Sequence, residues 1–136
     1  MILFVCTGNT CRSPMAAALA RRLGGVDADS AGLAAWPGDA ASPGAIRAME
    51  AYGADLSNHE AKQVSSLLMD RASLVYAMTA GHAQRLRLLF PGQAGKIRVL
   101  TPEIPDPFGG SDGMYALCAQ RIMEALRQAG VIPMKE

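Results

Sequence analysis

The sequence has 136 residues, half of them apolar and 18% charged, which suits one compact domain, 1–136, with a single core and leaves no room for a second. Thirteen Lys and Arg stand against twelve Asp and Glu, a formal net charge of +1, so nothing in the balance calls for a nucleic acid or an anionic membrane as partner. Cys6, Cys11 and Cys118 form neither an even disulfide framework nor a paired zinc pattern, no run reaches the roughly 18 apolar residues that span a bilayer, and Met1 to Val5 is too short for a signal-peptide core; reduced thiols and a cytoplasmic location are expected.

Ile2-Leu3-Phe4-Val5 is a continuous branched and aromatic run, the pattern of a strand buried on both faces of a parallel sheet. Ser13-Pro14 reads as an N-cap and first helical residue, with Met15, Ala18, Leu19 and Leu23 at helical spacing before Gly24-Gly25. Val26 to Ala31 is a second strand and Gly32 to Ala41 a loop; Ser42-Pro43 repeats the helix start, and that helix runs to Tyr52. A short helix follows from Ser65 to Asp70, then a strand from Ser73 to Met78 and a helix capped by Thr79 and running to Phe90. His82 in that helix is read as a surface residue. Lys96 to Leu100 is a strand, Thr101 to Gly113 a loop, and Met114 to Ala129 a last amphipathic helix, with a frayed tail after Gly130. Strands alternating with helices predict a doubly wound, Rossmann-like α/β domain: a four-stranded parallel sheet with helices on both faces. Ligands of such sheets bind at the carboxyl ends of the strands, where strand order reverses, which singles out the loop after the first strand.

That loop is Cys6-Thr7-Gly8-Asn9-Thr10-Cys11-Arg12-Ser13. A loop of this length can curl so that the N–H groups of Thr7 to Arg12 point inward, while the helix N-terminus adds partial positive charge, making a phosphate cradle. Arg12 can close it with a bidentate grip, Gly8 frees the backbone to curl, and Cys6 at its base is placed as a thiolate nucleophile. Seen alone, Cys6 would be a small core residue and Arg12 a surface cation; their joint position between a buried strand and a Ser-Pro helix start favours the chemical reading.

The run Val5 to Ala16 resembles the signature of the low-molecular-weight protein tyrosine phosphatase family, and Asp29-Ser30-Ala31-Gly32, Leu56-Ser57-Asn58-His59 with Lys62-Gln63-Val64, and Asp106-Pro107-Phe108-Gly109-Gly110 resemble its later blocks in order. The resemblance implies a phosphocysteine intermediate on Cys6, Arg12 as phosphate ligand, and Asp106 as acid for the leaving group and then base for water. It further implies that Asn9, Ser13, Ser30 and His59 support the loop, and that Cys11 can form a reversible disulfide with Cys6.

Substrate choice is expected at Thr10, Phe108 and Trp36. Thr10 and the pair Phe108-Gly109 resemble the bacterial protein arginine phosphatases of the family, since a hydroxyl suits a guanidinium better than the bulky aliphatic residue of tyrosine-specific members, and Phe108 offers it a flat face. Trp36 instead resembles an aromatic lining the cleft of tyrosine-specific members, so protein tyrosine phosphatase is the alternative. Arsenate reductase needs two further cysteines mid-chain that are missing between Cys11 and Cys118, and a non-catalytic phosphate-binding module would not need Cys6, Arg12 and Asp106 together. No cofactor or metal is expected, because the loop supplies its own positive charge. The expected partner is a phosphorylated protein, the substrate of a monomeric enzyme.

Overall fold

In the computed structural model, residues 1–134 are described; positions 135 and 136 of the expected domain lie outside them. Four strands, β1 (Ile2–Cys6), β2 (Ala28–Gly32), β3 (Leu74–Ala77) and β4 (Ile97–Val99), form one all-parallel sheet in the order β2-β1-β3-β4. Five helices connect and cover it: α1 (Arg12–Gly24), α2 (Pro43–Glu50), α3 (Ser66–Arg71), α4 (Ala80–Leu89) and α5 (Asp112–Gln128), with a 3₁₀ turn at Pro91–Lys96. Side chains of a strand alternate between faces, and β1 displays this fully. Phe4 and Cys6 join the core beneath α1, α2 and α5, whereas Leu3 and Val5 join the one beneath α3 and α4. The expected doubly wound sheet with helices on both faces is therefore what forms. Burying a side chain the size of Phe4 or Leu19, each fully enclosed, contributes about 1.5–3 kcal/mol.

Several boundaries differ from the sequence expectation, for physical reasons that bear on the site. Helix α1 begins at Arg12 with Cys11 at the cap position, so Ser13 is not its N-cap, and no side-chain hydrogen bond caps it. Ser42 precedes α2 as expected but does not cap it either. Both hydroxyls are turned toward the loop cysteines instead. Thr79 does cap α4, accepting from the His82 N–H, and Ser111 caps α5, which starts at Asp112 rather than Met114. The segment after Gly130 is packed, not frayed, as far as Ile132: Val131 and Ile132 are buried, and Val131 N–H donates to the Leu126 carbonyl at 2.9 Å. Gly24 permits this, since a Cβ there would stand 2.4 Å from the Val131 carbonyl oxygen. Among the described residues no helix is long and apolar enough to cross a membrane.

The sheet order places the reversal between β1 and β3, because the chain steps from β1 to one side and then crosses to the other. The crevice at that reversal opens where the loop after β1 leaves the sheet.

Candidate active site

The loop from Thr7 to Cys11 lies between the carboxyl end of β1 and the first turn of α1. Its carbonyls are tied outward: Cys6 and Thr7 accept from the Leu33 and Ala34 N–H groups at 2.9 Å, and Thr10 accepts from Ser42 N–H at 2.9 Å. The N–H groups of Gly8, Asn9, Thr10 and Cys11 have no acceptor among the described residues. Unpaired donors beside a helix end that carries no side-chain cap and no acidic residue in its first turn make a concavity chemically suited to an oxyanion.

Asn9 holds this loop in shape. It is fully buried with φ 59°, the only non-glycine residue with positive φ among the described residues; asparagine tolerates this left-handed conformation better than most residues. Its Nδ2 donates to Ser13 Oγ at 2.8 Å and Ser30 Oγ at 2.9 Å, its Oδ1 accepts from Lys62 N–H at 3.0 Å, and its carbonyl accepts from His59 Nε2 at 2.7 Å. A carbonyl only accepts, so His59 carries its proton on Nε2. Ser13 Oγ accepts from Asn9, lies 2.9 Å from Cys6 Sγ, and has the Ala31 carbonyl at 3.4 Å as a second acceptor, so its hydroxyl stands beside the sulfur as a donor to a Cys6 thiolate. The left-handed residue that bends the loop is thus Asn9; Gly8 does not have positive φ, and a Cβ on it would meet nothing closer than 3.8 Å. The glycine the loop requires is Gly32, where a Cβ would stand 2.5 Å from the Thr7 carbonyl oxygen and 3.1 Å from Asn9 N.

Arg12 is buried, yet its guanidinium reaches the same crevice: Nη1 donates to the Ile104 carbonyl at 3.0 Å, and Nη2 lies 3.7 Å from Asp106 Oδ2. Asp106 is about half exposed, and its other oxygen accepts from Phe108 N–H at 3.0 Å, a turn that aims the carboxylate. Ser30, Ser13, Asn9 and His59 therefore meet Cys6 in one network, and Arg12 meets Asp106. Thr10 is half-buried in the loop, while Phe108 and Trp36 stand on separate loops and are 74% and 77% exposed. Cys6 and Cys11 are free thiols. Cys11 Sγ lies 3.0 Å from Ser42 Oγ and 3.5 Å from the Tyr115 hydroxyl, on the α2 and α5 side of the loop.

The family described as low molecular weight phosphotyrosine protein phosphatase matches residues 1–130. The chain belongs to this family of hydrolases. It is 40% identical over 112 residues to a probable low molecular weight protein-tyrosine-phosphatase, EpsP, of Ralstonia nicotianae, covering 79% of this chain and 77% of that one. It is equally 40% identical, over 139 residues, to a protein-arginine-phosphatase of Bacillus subtilis, covering 93% and 92%. Among solved structures, the YwlE arginine phosphatase, as a cysteine-to-serine mutant with its active-site serine phosphorylated, superimposes with a TM-score of 0.88 at 38% identity, covering 94% and 91%.

Within this phosphatase, sequence reasoning missed His82. It is half-buried rather than a surface residue, with Nε2 at 2.8 Å from Thr7 Oγ1 and Nδ1 at 3.0 Å from Thr79 Oγ1. Thr79 Oγ1 also accepts from the His82 backbone N–H, so the imidazole is held at both ring nitrogens between two threonine hydroxyls. Burial, reinforced by the charge of Arg12, holds the His82 pKa below the ordinary value. The available signal was the spacing: Thr79 as N-cap puts position 82 on the first turn of α4, facing the end of β1. Cys118, expected in the core, is buried there, and burial pushes its thiol up to about 12. Burial also raises the Tyr115 hydroxyl, aided by its hydrogen bond to Cys11. Among the described residues no cluster of three His, Cys, Asp or Glu side chains could hold a metal ion.

Proposed function

We propose that this phosphatase removes the phosphoryl group from phosphoarginine in proteins, in two displacements at phosphorus. The Cys6 thiolate attacks phosphorus as the P–N bond breaks, and Asp106 gives its proton to the departing guanidine nitrogen. Asp106, now a carboxylate, takes a proton from water, whose oxygen attacks phosphorus and breaks the S–P bond, releasing inorganic phosphate and the Cys6 thiolate. The N–H groups of Gly8 to Cys11 and the Arg12 guanidinium hold the equatorial oxygens, where negative charge must be met throughout. Ser13 supplies a hydrogen bond to the leaving sulfur of the second step.

The observation that carries the choice of nitrogen over oxygen ester is Thr10, a hydroxyl-bearing residue half-buried in the loop itself, with the exposed ring of Phe108 two residues after Asp106. A planar cation is served by a hydroxyl, by the Asp106 carboxylate and by a flat aromatic face. The protein-arginine-phosphatase relative, matched over nearly the whole chain, supports this reading. The second reading, a phosphotyrosine substrate, is favoured by Trp36, an exposed aromatic on the loop whose N–H groups bind the Cys6 and Thr7 carbonyls, and by the EpsP relative. The free thiols fit work in a reducing compartment, the cytoplasm.

The test compares hydrolysis of matched phosphoarginine and phosphotyrosine peptides by wild type and Thr10→Ile. Wild type is expected to prefer phosphoarginine and Thr10→Ile to shift preference toward phosphotyrosine. Equal rates on both peptides by wild type would overturn the choice.

A further inference from the structure

Beside the catalytic loop, a groove of about 400 Å³ runs between α4 and the loop after β2, a size at which small ligand groups are bound. Thr7 and His82 form its inner end, Leu33 and Ala34 one wall, and one face of α4, with Arg85 and Leu88, the other. Gly81, Arg85 and Leu88 recur at helical spacing, so these side chains share that face. The wall opposite is rigid: Leu33 and Ala34 are pinned to the catalytic loop through their N–H groups, and Gln63 bridges it by accepting from Ala35 N–H at 2.9 Å and donating to the Leu33 carbonyl at 2.8 Å.

Two features say what fits. Arg85 is exposed and has no hydrogen-bond or ion-pair partner among the described residues, unlike Arg12, Arg47 or Arg21, which are all engaged. Leu88 is 73% exposed along the same face, an apolar surface next to a free cation. The groove is also continuous with the reaction centre, because Thr7 belongs to both. Its hydroxyl is held by His82 Nε2 at 2.8 Å.

We propose that this groove is a subsite for the phosphoprotein substrate, taking the residues that flank the phosphorylated one: an apolar side chain against Leu33 and Leu88 and a carboxylate on Arg85. The proposal rests on the protein phosphatase reading but not on which phosphoamino acid is cleaved. Arg85 acts on substrate binding, since it lies outside the ring of groups that meets phosphorus.

The test uses paired phosphopeptides that differ only by Glu or Gln at each flanking position, made with whichever phosphoamino acid wild type cleaves, alongside p-nitrophenyl phosphate, which has no flanking residues. Wild type is expected to show a kcat/KM about threefold higher for Glu at one or more positions, the effect of one partly exposed ion pair, carried by KM and lost at high salt. In Arg85→Ala the Glu and Gln peptides become equal, in Arg85→Glu the preference inverts, and p-nitrophenyl phosphate turnover is the same in all three proteins. Equal peptide rates in wild type, or a preference that survives Arg85→Ala, would overturn the subsite. Failure of wild type to cleave any phosphopeptide while cleaving p-nitrophenyl phosphate would instead overturn the protein phosphatase reading on which it stands.

Discussion

Replacing Asn9 removes the residue that joins the loop to the rest of the site, and the structure sets the size of the effect. Asn9→Ala deletes three hydrogen bonds, to Ser13, Ser30 and the Lys62 N–H, in a fully buried position. At about 1 kcal/mol net for each, that is a loss of about 3 kcal/mol. The backbone at φ 59° adds a further term. Alanine pays about 1–2 kcal/mol there, of which glycine avoids all but the cost of its looser unfolded chain, so Asn9→Gly should be more stable than Asn9→Ala by about 0.5–1 kcal/mol. The total for alanine is then about 4 kcal/mol, and for 136 residues this lowers the thermal midpoint by about 14 °C. Urea unfolding of the three proteins measures these differences, and the same samples report turnover of p-nitrophenyl phosphate. Both variants should lose turnover, because the loop and the Ser13 hydroxyl beside Cys6 lose the side chain that ties them together. A loss below about 1 kcal/mol, or Asn9→Ala at least as stable as Asn9→Gly, would refute the reasoning.

Two further outcomes follow from other parts of the site. Gly32→Ala forces a methyl to 2.5 Å from the Thr7 carbonyl oxygen, backbone that cannot rotate away, so turnover should collapse while unfolding free energy falls by about 1–3 kcal/mol; activity near wild type would show that the loop can shift without consequence. Both histidines resist protonation in the folded chain, His59 and His82 each mainly through burial, from an ordinary value of 6.5. The unfolded chain therefore binds protons first, and stability should fall as pH drops from about 6.5 through the lowered folded values. Urea titrations between pH 7.5 and 5.5 measure the slope, which His82→Gln should reduce; an unchanged slope would mean that His82 is protonated as freely as in the unfolded chain.

Element order was legible because it rests on composition: an apolar β1, glycines after helices and Thr79 before α4 need only local propensity. What local signals misassigned were the roles of polar side chains with two possible partners. Ser13 and Ser42 both look like N-caps ahead of proline, and each instead turns its hydroxyl to a cysteine of the loop. Gly8 looks like the bending residue because glycine usually is, but Asn9 bends the chain, stabilised by partners 21 and 53 residues away that no local pattern shows. His82 was hidden for the same reason, since its bond to Thr7 spans 75 residues. Cys6, Arg12 and Asp106 were singled out through resemblance and spacing; Gly32 closed a resembling block without a role of its own, because its steric constraint comes from the loop that packs against β2.

The sharpest trial of the two-step chemistry is to denature the enzyme within milliseconds during turnover of radiolabelled p-nitrophenyl phosphate, in Asp106→Asn as well as wild type, and map the label. That leaving group departs without a proton, so Asp106→Asn should complete the first displacement and stall before water attacks. The protein should then carry up to one phosphoryl group per molecule, bound through sulfur to the peptide containing Cys6, and Cys6→Ser should form no sulfur-bound label. Product released at the wild-type rate with no label on the protein at any time, or label on a peptide other than that of Cys6, would contradict a phosphocysteine intermediate.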